Sequence, residues 1–557
     1  MENRKKKTGP PGMPPANMGA KKTIAALEKI EREGFTWRIP PAPVDEDSIA
    51  EELTADVVVI GAGHAGTPAA RAAAEAGASV ILMEKLTEKN YMALGQDFGH
   101  INSEFLASRN VPRVDPIDLF NEMMRRGGNR ANPGLVMQFA RRCGETFDWF
   151  IEPCPPERIE EVIVTYNPTG PNFKGELSGQ KFWTGTAEFP GWFKRGLYTI
   201  TDAHRCNQER ARRLGAQLLF STEAQYLEKD GNRVSAVIAK RADGSYIRCR
   251  AGKGVILAAG DFAANTEMCI DLLPDIFDII DIDNDEGFAA MGGRDGRGIQ
   301  MGVWAGGRLE ARPIPTMGGN YATLMGAVSN FGSLWLDGNG RRYCNESFGD
   351  PVFAGFPGAQ EKHSTRYLVY DSGVLEDLSH GPPAHTSFDY NSGDARRRLL
   401  DTMRRAVEAG DEGFCERGAV FAADDFETLG RRAGLEGERL SGFVASIERY
   451  NELCRLGRDE DFGKDPDLMN AFDEPPYFVE VVDDFHIGSM MVTVGGLLTN
   501  EHQNVLDKDR DPIPGLYATG NCCGRRFGTQ YSTPIAGVSI GMAVTLGRIC
   551  GENAARG

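Results

Sequence analysis

"ADVVVIGAGHAGTPAARAAAEAGASVILMEK", residues 55–85, decides the fold. Val57–Ile60 is an apolar, β-branched run that predicts a strand. An alanine-rich helix follows over roughly His64–Ala76, and a second strand ends at Glu84. Gly61, Gly63 and Gly66 give G-x-G-x-x-G at the strand-to-helix turn. The first two glycines permit the tight turn and the close approach of a pyrophosphate, and the third lets helix and strand pack. The helix N-terminus offers N–H groups to the phosphates. Glu84, at the end of the second strand, can accept hydrogen bonds from a ribose. The unit predicts a dinucleotide site, with a glycine turn in an ordinary βαβ unit as the plain alternative. Alone, it does not separate NAD from FAD.

The chain has 557 residues, enough for two or three domains, and 41% of them are hydrophobic, so a substantial core is expected. A formal net charge of −17 argues against nucleic acid or an anionic membrane as the main partner. No apolar run approaches the ~20 residues that a membrane span needs. The opening "MENRKKKTGPPGMPPANMG" is basic but has no apolar stretch behind it, and does not read as a secretory signal. The 11 cysteines are scattered without C-x-x-C, haem or ferredoxin spacing. They fit reduced thiols in a cytoplasm, and no metal site is expected. Cys522 and Cys523 read as small buried residues in preference to a redox disulfide.

Composition divides the chain. Residues 1–50 read as an extension: a Pro/Gly-rich segment, a short helix with Ile24, Leu27 and Ile30 on one face, then "WRIPPAP", a strap on the body. Residues 51–315 are the expected first part of a nucleotide domain. In it, "GKGVILAAG" is an apolar strand, Gly254–Ala259, that ends at Gly260, where a parallel strand could meet the cofactor. "GGRDGRGIQMGVWAGG" is a glycine turn that feeds a helix. Residues 316–475 change to loops and amphipathic helices such as Leu440–Leu456. Residues 476–557 return to apolar strands, "MMVTVGGLLTN" and "IPGLYATGN", and a final helix. The predicted fold is α/β: a Rossmann-like nucleotide domain split by an inserted α+β capping domain.

Seven in-order segments carry a resemblance over Ala55 to the end: "VVVIGAGHAG…MEK", "VILAAGDFAAN", "GRDGRGIQMG", "LWLDGNGRRYCNES", "IERYNELCRLGRDEDFG", "VTVGGLLTN" and "IPGLYATGNCCG…GVSIGMAVTLGRICG". Together they resemble the flavoprotein subunit family that includes fumarate reductases, urocanate reductases and 3-ketosteroid dehydrogenases. The resemblance implies FAD. It implies that Gly61, Gly63, Ala65 and Gly66 surround the pyrophosphate, that Glu84 binds ribose and that Ala224 lies near the adenine. Asp295 and Asn521 would contact the sugar or ribityl chain, and the final helix around Gly537, Ser539 and Ile540 would point its N-terminus at the flavin ring. Lys85, Gly99, Ala259 and Gly260 complete the expected cofactor set. The family usually has Glu at Asn521, so a charge is absent there while an acceptor is kept. Covalent attachment is not expected, because "EKNYMALGQDFGH" has no His in its first half and His100 comes ten residues too late.

The substrate residues depart from the dicarboxylate reductases, which clamp carboxylates with His and Arg. The family's H-P-T reads "IPT", so one His position is Ile314, and H-T-x-G-G reads "VTVGG", so another is Val492. The expected glycine-stretch Arg falls near Tyr531, and the proton-delivering Arg position is Asp350 in "NESFGD". The tail "QYSTPIAGVSIGMAVTLG" is similar to that of the ketosteroid dehydrogenases, with about two extra residues after Tyr531. Tyr531 is thus a candidate donor to a carbonyl oxygen, or a structural tyrosine that caps the loop. Asp350 is a candidate proton donor, or a helix N-cap before "PVFAG". Arg525 and Arg526 could bind a substrate anion or a flavin oxygen, or be solvated or domain-bridging. Ile314, Val492, Met490 and Met491 suggest an apolar pocket suited to a ring. The expected reaction is hydride exchange between FAD and an activated C=C bond of a small-molecule substrate, preferentially a cyclic enone. An unsaturated carboxylic acid and a non-catalytic electron-transfer subunit are the alternatives. Nothing in the chain identifies the electron donor or acceptor.

Overall fold

The computed structural model describes residues 16–165, 172–192, 194–277, 288–290, 294–317, 333–348, 365–381, 390, 393–415, 419–482, 489–490, 492–531 and 534–557. Two sheets dominate. The larger has eight strands, with Asn504–Leu506, Pro512–Ala518, Tyr246–Leu257, Ile49–Ile60, Val80–Met83 and Gln217–Leu219 in spatial order. From Pro512–Ala518 to Gln217–Leu219 every neighbour is parallel. Arg233–Arg241 and Thr222–Asp230 extend antiparallel from Tyr246–Leu257. The centre is Val57–Ile60 between Gly254–Leu257 and Val80–Met83. Buried on both faces, these strands read as unbroken Val/Ile/Leu runs, as parallel strands should.

The first strand begins at Ile49, well before the apolar run and inside the segment read as an extension. Its outer half is polar and held by charge across the ladder. Arg250 Nε meets Glu52 at 2.6 Å, and Arg248 meets Glu46 at 2.6 Å and Glu228 at 2.8 Å. The N-terminal helix, Ala16–Glu33, and the strap after it are pinned by Trp37, which is buried. Its indole N–H donates to Asp271 at 2.9 Å, and its carbonyl accepts from the Trp304 indole at 3.0 Å.

The second sheet is antiparallel, in the order Leu334–Leu336, Arg366–Tyr370, Tyr477–Val482, Ala419–Ala423, Phe414–Cys415. The helix Gly437–Leu456 covers it, burying Phe443, Ile447 and Tyr450 against Leu334, Tyr367 and Val479. Gly457 ends the helix at φ +72°, a conformation glycine takes without strain. The boundary expected at residue 475 falls just before this sheet's central strand, Tyr477–Val482. The described residues between 316 and 475 contribute no strand to the larger sheet. "MMVTVGG" does not join that sheet either. Val492–Thr493 pairs antiparallel with Thr316–Met317, a separate two-stranded ribbon. The hairpin Glu176–Lys181 links the two bodies: Ser178 N–H donates to Asp465 at 2.5 Å, and Lys181 N–H to Glu122 at 3.2 Å. No described helix is long and apolar enough to cross a membrane.

Candidate active site and cofactor cradle

The glycine loop leaves the first strand at Gly61, whose φ of +95° turns the chain back on itself. A Cβ there would lie 2.7 Å from the Ala258 carbonyl oxygen, and one at Gly66 would lie 1.7 Å from the Gly61 oxygen. Those two glycines are needed for packing. Gly63 differs: no atom lies within 4 Å of where its Cβ would stand, so its backbone faces open space. The helix Gly66–Glu75 starts at Ala65 with no side-chain cap, which leaves its N-terminus available to an anion. Glu84 braces the loop. Its carboxylate accepts from Ala62 N–H and Leu86 N–H, both at 3.0 Å.

Of the remaining predicted cofactor residues, Ala259 and the turn next to Asn521 pack on this loop. Gly520, next to Asn521, comes so near Ala65 that an added Cβ would lie 2.7 Å from the Ala65 Cβ. Ala259 and Gly260 follow the strand that packs on Gly61, and Gly260 has φ +86°. Asp261, buried beside it, pairs with Arg294 at 2.8 Å and ties this turn to Asp295. Asp295 accepts from Arg297 N–H at 3.1 Å. Ala224 is buried two residues beyond Thr222, whose N–H bonds the Glu84 carbonyl. Lys85 is exposed beside Glu84. Gly99 N–H donates to Gly537 at 2.9 Å, and Gly537, at φ +77°, starts the closing helix Val538–Arg556 without a side-chain cap. Ser539 is buried, and Ile540 reaches Gly95. A cradle of backbone N–H groups and uncapped helix starts, with Glu84 bracing the loop, fits a dinucleotide.

The histidines nearby are engaged elsewhere. His100 bonds Ser103 at 2.7 Å and stacks on Phe147, with ring centroids 4.2 Å apart. His64 contacts the Leu94 carbonyl at 2.7 Å, so that nitrogen carries the proton, and its Nδ1 accepts from His204 at 2.9 Å. Burial lowers the His64 pKa to about 4, so the pair is neutral.

Of the predicted substrate residues, Asp350 lies outside the described residues, as does Met491. The segments that carry Ile314 and Val492 are paired, with Ile314 against Gly495. Val494 N–H donates to Pro315 at 2.9 Å, Val492 pairs with Met317, and both apolar side chains are buried in the core cluster that also holds Tyr531. Tyr531 is buried edge-on to Phe527, with centroids 5.0 Å apart. Arg526 is fully buried. It donates to the Cys523 and Val494 carbonyls and to the Asn521 side chain, while its Nη1 has no hydrogen-bond partner among the described residues. Cys522 and Cys523 are buried free thiols; Cys522 points at the Gly260 carbonyl at 3.2 Å, and Cys523 at Thr499.

Sequence reasoning missed Glu310. Its buried carboxylate accepts from Gly496 N–H at 2.8 Å and Arg525 N–H at 2.9 Å, so it fastens the Ile314 and Val492 segments to the Asn521–Phe527 loop. A Cβ on Gly495 or Gly524 would strike it, at 2.1 and 2.9 Å. The glycine pair of "VTVGG" was the available signal. Burial pushes the Glu310 pKa up to about 7, against the two N–H bonds that lower it.

Two measurements test this geometry. Gly66→Ala should fail to fold stably, whereas Gly63→Ala should fold with stability within about 0.5 kcal/mol of the parent. Gly63→Ala should nevertheless bind FAD about tenfold or more weakly, read by flavin titration of apoprotein; undiminished affinity would refute the assignment. Separately, native Glu310 keeps a proton up to about pH 7 that the unfolded chain releases near 4.5, so its contribution to stability falls as pH rises through that window. Relative to Glu310→Gln, the parent should lose about 3 kcal/mol across it in urea unfolding. Parallel pH profiles would show that Glu310 is not protonated in the fold.

The comparisons agree with the cradle. The family model described as "FAD binding domain" matches residues 56–539. The vinyl phenol reductase of Lactiplantibacillus plantarum is 26% identical over 526 residues, covering 91% of this chain and 98% of that protein. The fumarate reductase (cytochrome) of Shewanella frigidimarina is 26% identical, covering 96% of this chain and 81% of that protein. Among solved structures, the 3-ketosteroid-Δ4-(5α)-dehydrogenase of Rhodococcus jostii RHA1, in complex with 4-androstene-3,17-dione, has a TM-score of 0.66. It is 21% identical, with 92% of this chain and 100% of that one covered, a likeness of fold. The chain belongs to the FAD binding domain family: it is a flavoprotein oxidoreductase, and FAD is its cofactor.

Proposed function

We propose that this flavoenzyme exchanges a hydride with an activated carbon–carbon double bond, and that its substrate is an uncharged or weakly charged cyclic enone. The observation that carries the substrate class is the pairing of the Ile314 and Val492 segments. At the two positions where the resemblance places carboxylate-binding histidines, the chain has buried apolar side chains on paired segments, Ile314 against Gly495 and Val492 opposite Met317. Neither can offset the cost of desolvating a carboxylate. The Lactiplantibacillus relative is named for a vinyl phenol, a compound without a carboxylate, which supports an uncharged substrate though not a carbonyl.

When bound, FAD supplies the two-electron hydride chemistry. The chain's own residues orient and polarise. A neutral Tyr531 phenol would donate to the substrate carbonyl, whose oxygen gains charge only in the transition state. Asp350 would hand a proton to the carbon α to that carbonyl. Arg526, through Asn521, would steady the loop against the cofactor. The unit built on the second sheet, roughly residues 316–475 with the strand Tyr477–Val482, would serve as the cap that excludes water on closure. One observation favours an unsaturated carboxylic acid as a second reading: the Nη1 of buried Arg526 could take one carboxylate oxygen.

The deciding experiment is to reduce the purified holoenzyme anaerobically and score which compounds reoxidise it. Cyclic enones should outpace fumarate, urocanate and cinnamate; the reverse order selects the acid reading, and no turnover at all points to a non-catalytic subunit. Tyr531→Phe should cost about 10²–10³-fold in kcat, and full activity would remove Tyr531 from the site. Acid precipitation should release all the yellow colour; flavin retained in the pellet would contradict non-covalent binding.

A further inference from the structure

A cavity of about 540 Å³ opens between the N-terminal strap and the segment 303–314. Its size lies within the ~300–1,000 Å³ typical of small-molecule sites, and none of the residues expected to hold FAD lines it. Its wall has two chemistries. Leu272, Val303, Leu309 and Ile314 form an apolar side, and Arg38, Arg308, Arg312 and Lys508 supply four cations, in a chain of net charge −17.

Neighbouring acids neutralise those cations only in part. One carboxylate, Asp271, is shared by Arg38 at 2.8 Å and Arg312 at 3.0 Å. Lys508 meets its neighbour Asp509 at the surface. Arg308 is exposed and has no carboxylate partner among the described residues; its Nη1 has a marginal 3.5 Å contact with the Lys508 carbonyl. Glu310, the only acid in the wall, has both carboxylate oxygens committed to the Gly496 and Arg525 N–H groups. Two of the guanidinium groups are also fixed before any ligand arrives. Arg38 stacks over Trp37, 4.4 Å from the ring centroid, while Asp271 holds Arg312, so less side-chain entropy is lost on binding.

We propose that this cavity binds a phosphorylated small molecule with an apolar body. The phosphate would lie among Arg308, Arg38, Arg312 and Lys508, and the body would rest on Leu272, Val303 and Leu309. A phosphate monoester carries about −1.5 to −2 charges and three acceptor oxygens at neutral pH. It can therefore engage several guanidinium forks at once, where a single carboxylate offers two oxygens. None of the residues expected to hold FAD lines the cavity, and although Ile314 borders both it and the wall assigned to substrate above, the contacts proposed for the ligand are to Leu272, Val303, Leu309 and the four cations.

The test uses the full-length FAD-loaded protein in calorimetric titrations with FMN, inorganic pyrophosphate and succinate. FMN and pyrophosphate should bind saturably. Both should weaken about tenfold or more between about 0.01 M and 1 M salt, as the screening length falls from about 30 to 3 Å. The surface double variant Arg308→Glu/Lys508→Glu should weaken both by about tenfold or more, with FAD content and turnover unchanged. Leu309→Ser should weaken FMN and spare pyrophosphate; equal loss of both would overturn the apolar part of the site. The proposal fails if neither phosphate binds, if charge reversal leaves binding unchanged, or if succinate binds as tightly as pyrophosphate.

Discussion

The architecture depends on backbone meeting backbone where the closing helix crosses the glycine loop. Gly541, Gly547 and Gly551 lie along one helix, and Cβ atoms there would stand 1.8, 2.3 and 2.1 Å from the carbonyl oxygens of Gly99, Ala65 and Ala69. Helices usually pack 8–10 Å apart because side chains hold them off; without side chains at the contact the axes can close further. That approach sets the N-terminus of Val538–Arg556 against Gly99 and its middle, at Gly547, beside the start of Gly66–Glu75. Both helices begin without side-chain caps, so each leaves N–H groups at its own start open to an anion. A methyl group at Gly547 would push the two helices apart.

A second constraint is electrostatic and lies on the other side of the cradle. Glu310 is a carboxylate taken out of water, which costs several kcal/mol when nothing compensates. Two backbone N–H bonds offset part of that, and the charges of Arg525 and Arg526 add a further favourable field. Burial still dominates, and the group keeps its proton well above the usual carboxylate range. Its neighbours give it room by being glycines: Gly495–Gly496 and Gly524 bring two backbone segments to one carboxyl group. The loop carrying Asn521 and Arg526 is therefore tied to the segments carrying Ile314 and Val492 through a single side chain.

The features legible in the sequence were those with a short-range physical signature. The glycine loop, the alanine helix, the buried strands and the closing helix each follow from spacing or from unbroken apolar runs, and the structure places them as read. What escaped depends on distant partners. Glu51 and Glu52 do not read as strand until Arg241, Arg248 and Arg250 stand opposite them. Trp37 reads as part of a proline-rich strap until Asp271 and Trp304 enclose it. Glu310 is one acid among many in sequence, and only the three-dimensional meeting of two glycine-rich segments gives it a role. "VTVGGLLTN" looked like a strand of the nucleotide sheet because apolar content does not specify which sheet a strand joins; Thr316–Met317 captures it first.

The two halves of the site are built from different materials, and this bears on how its specificity is set. The cofactor cradle is mostly main chain: glycine turns, helix starts and carbonyl contacts that no side-chain exchange outside the glycines removes. The substrate wall proposed above, Ile314, Val492 and Tyr531, is side chain, mounted on segments other than the glycine loop. Replacing a histidine with isoleucine or valine on that wall alters which substrate atoms can be desolvated there without disturbing a hydrogen bond of the cradle. Glu310 keeps the exchange local, because it holds the backbone of both halves in register whatever the wall side chains are. A fold arranged in this way can keep one cofactor while its substrate-facing wall changes from cationic to apolar.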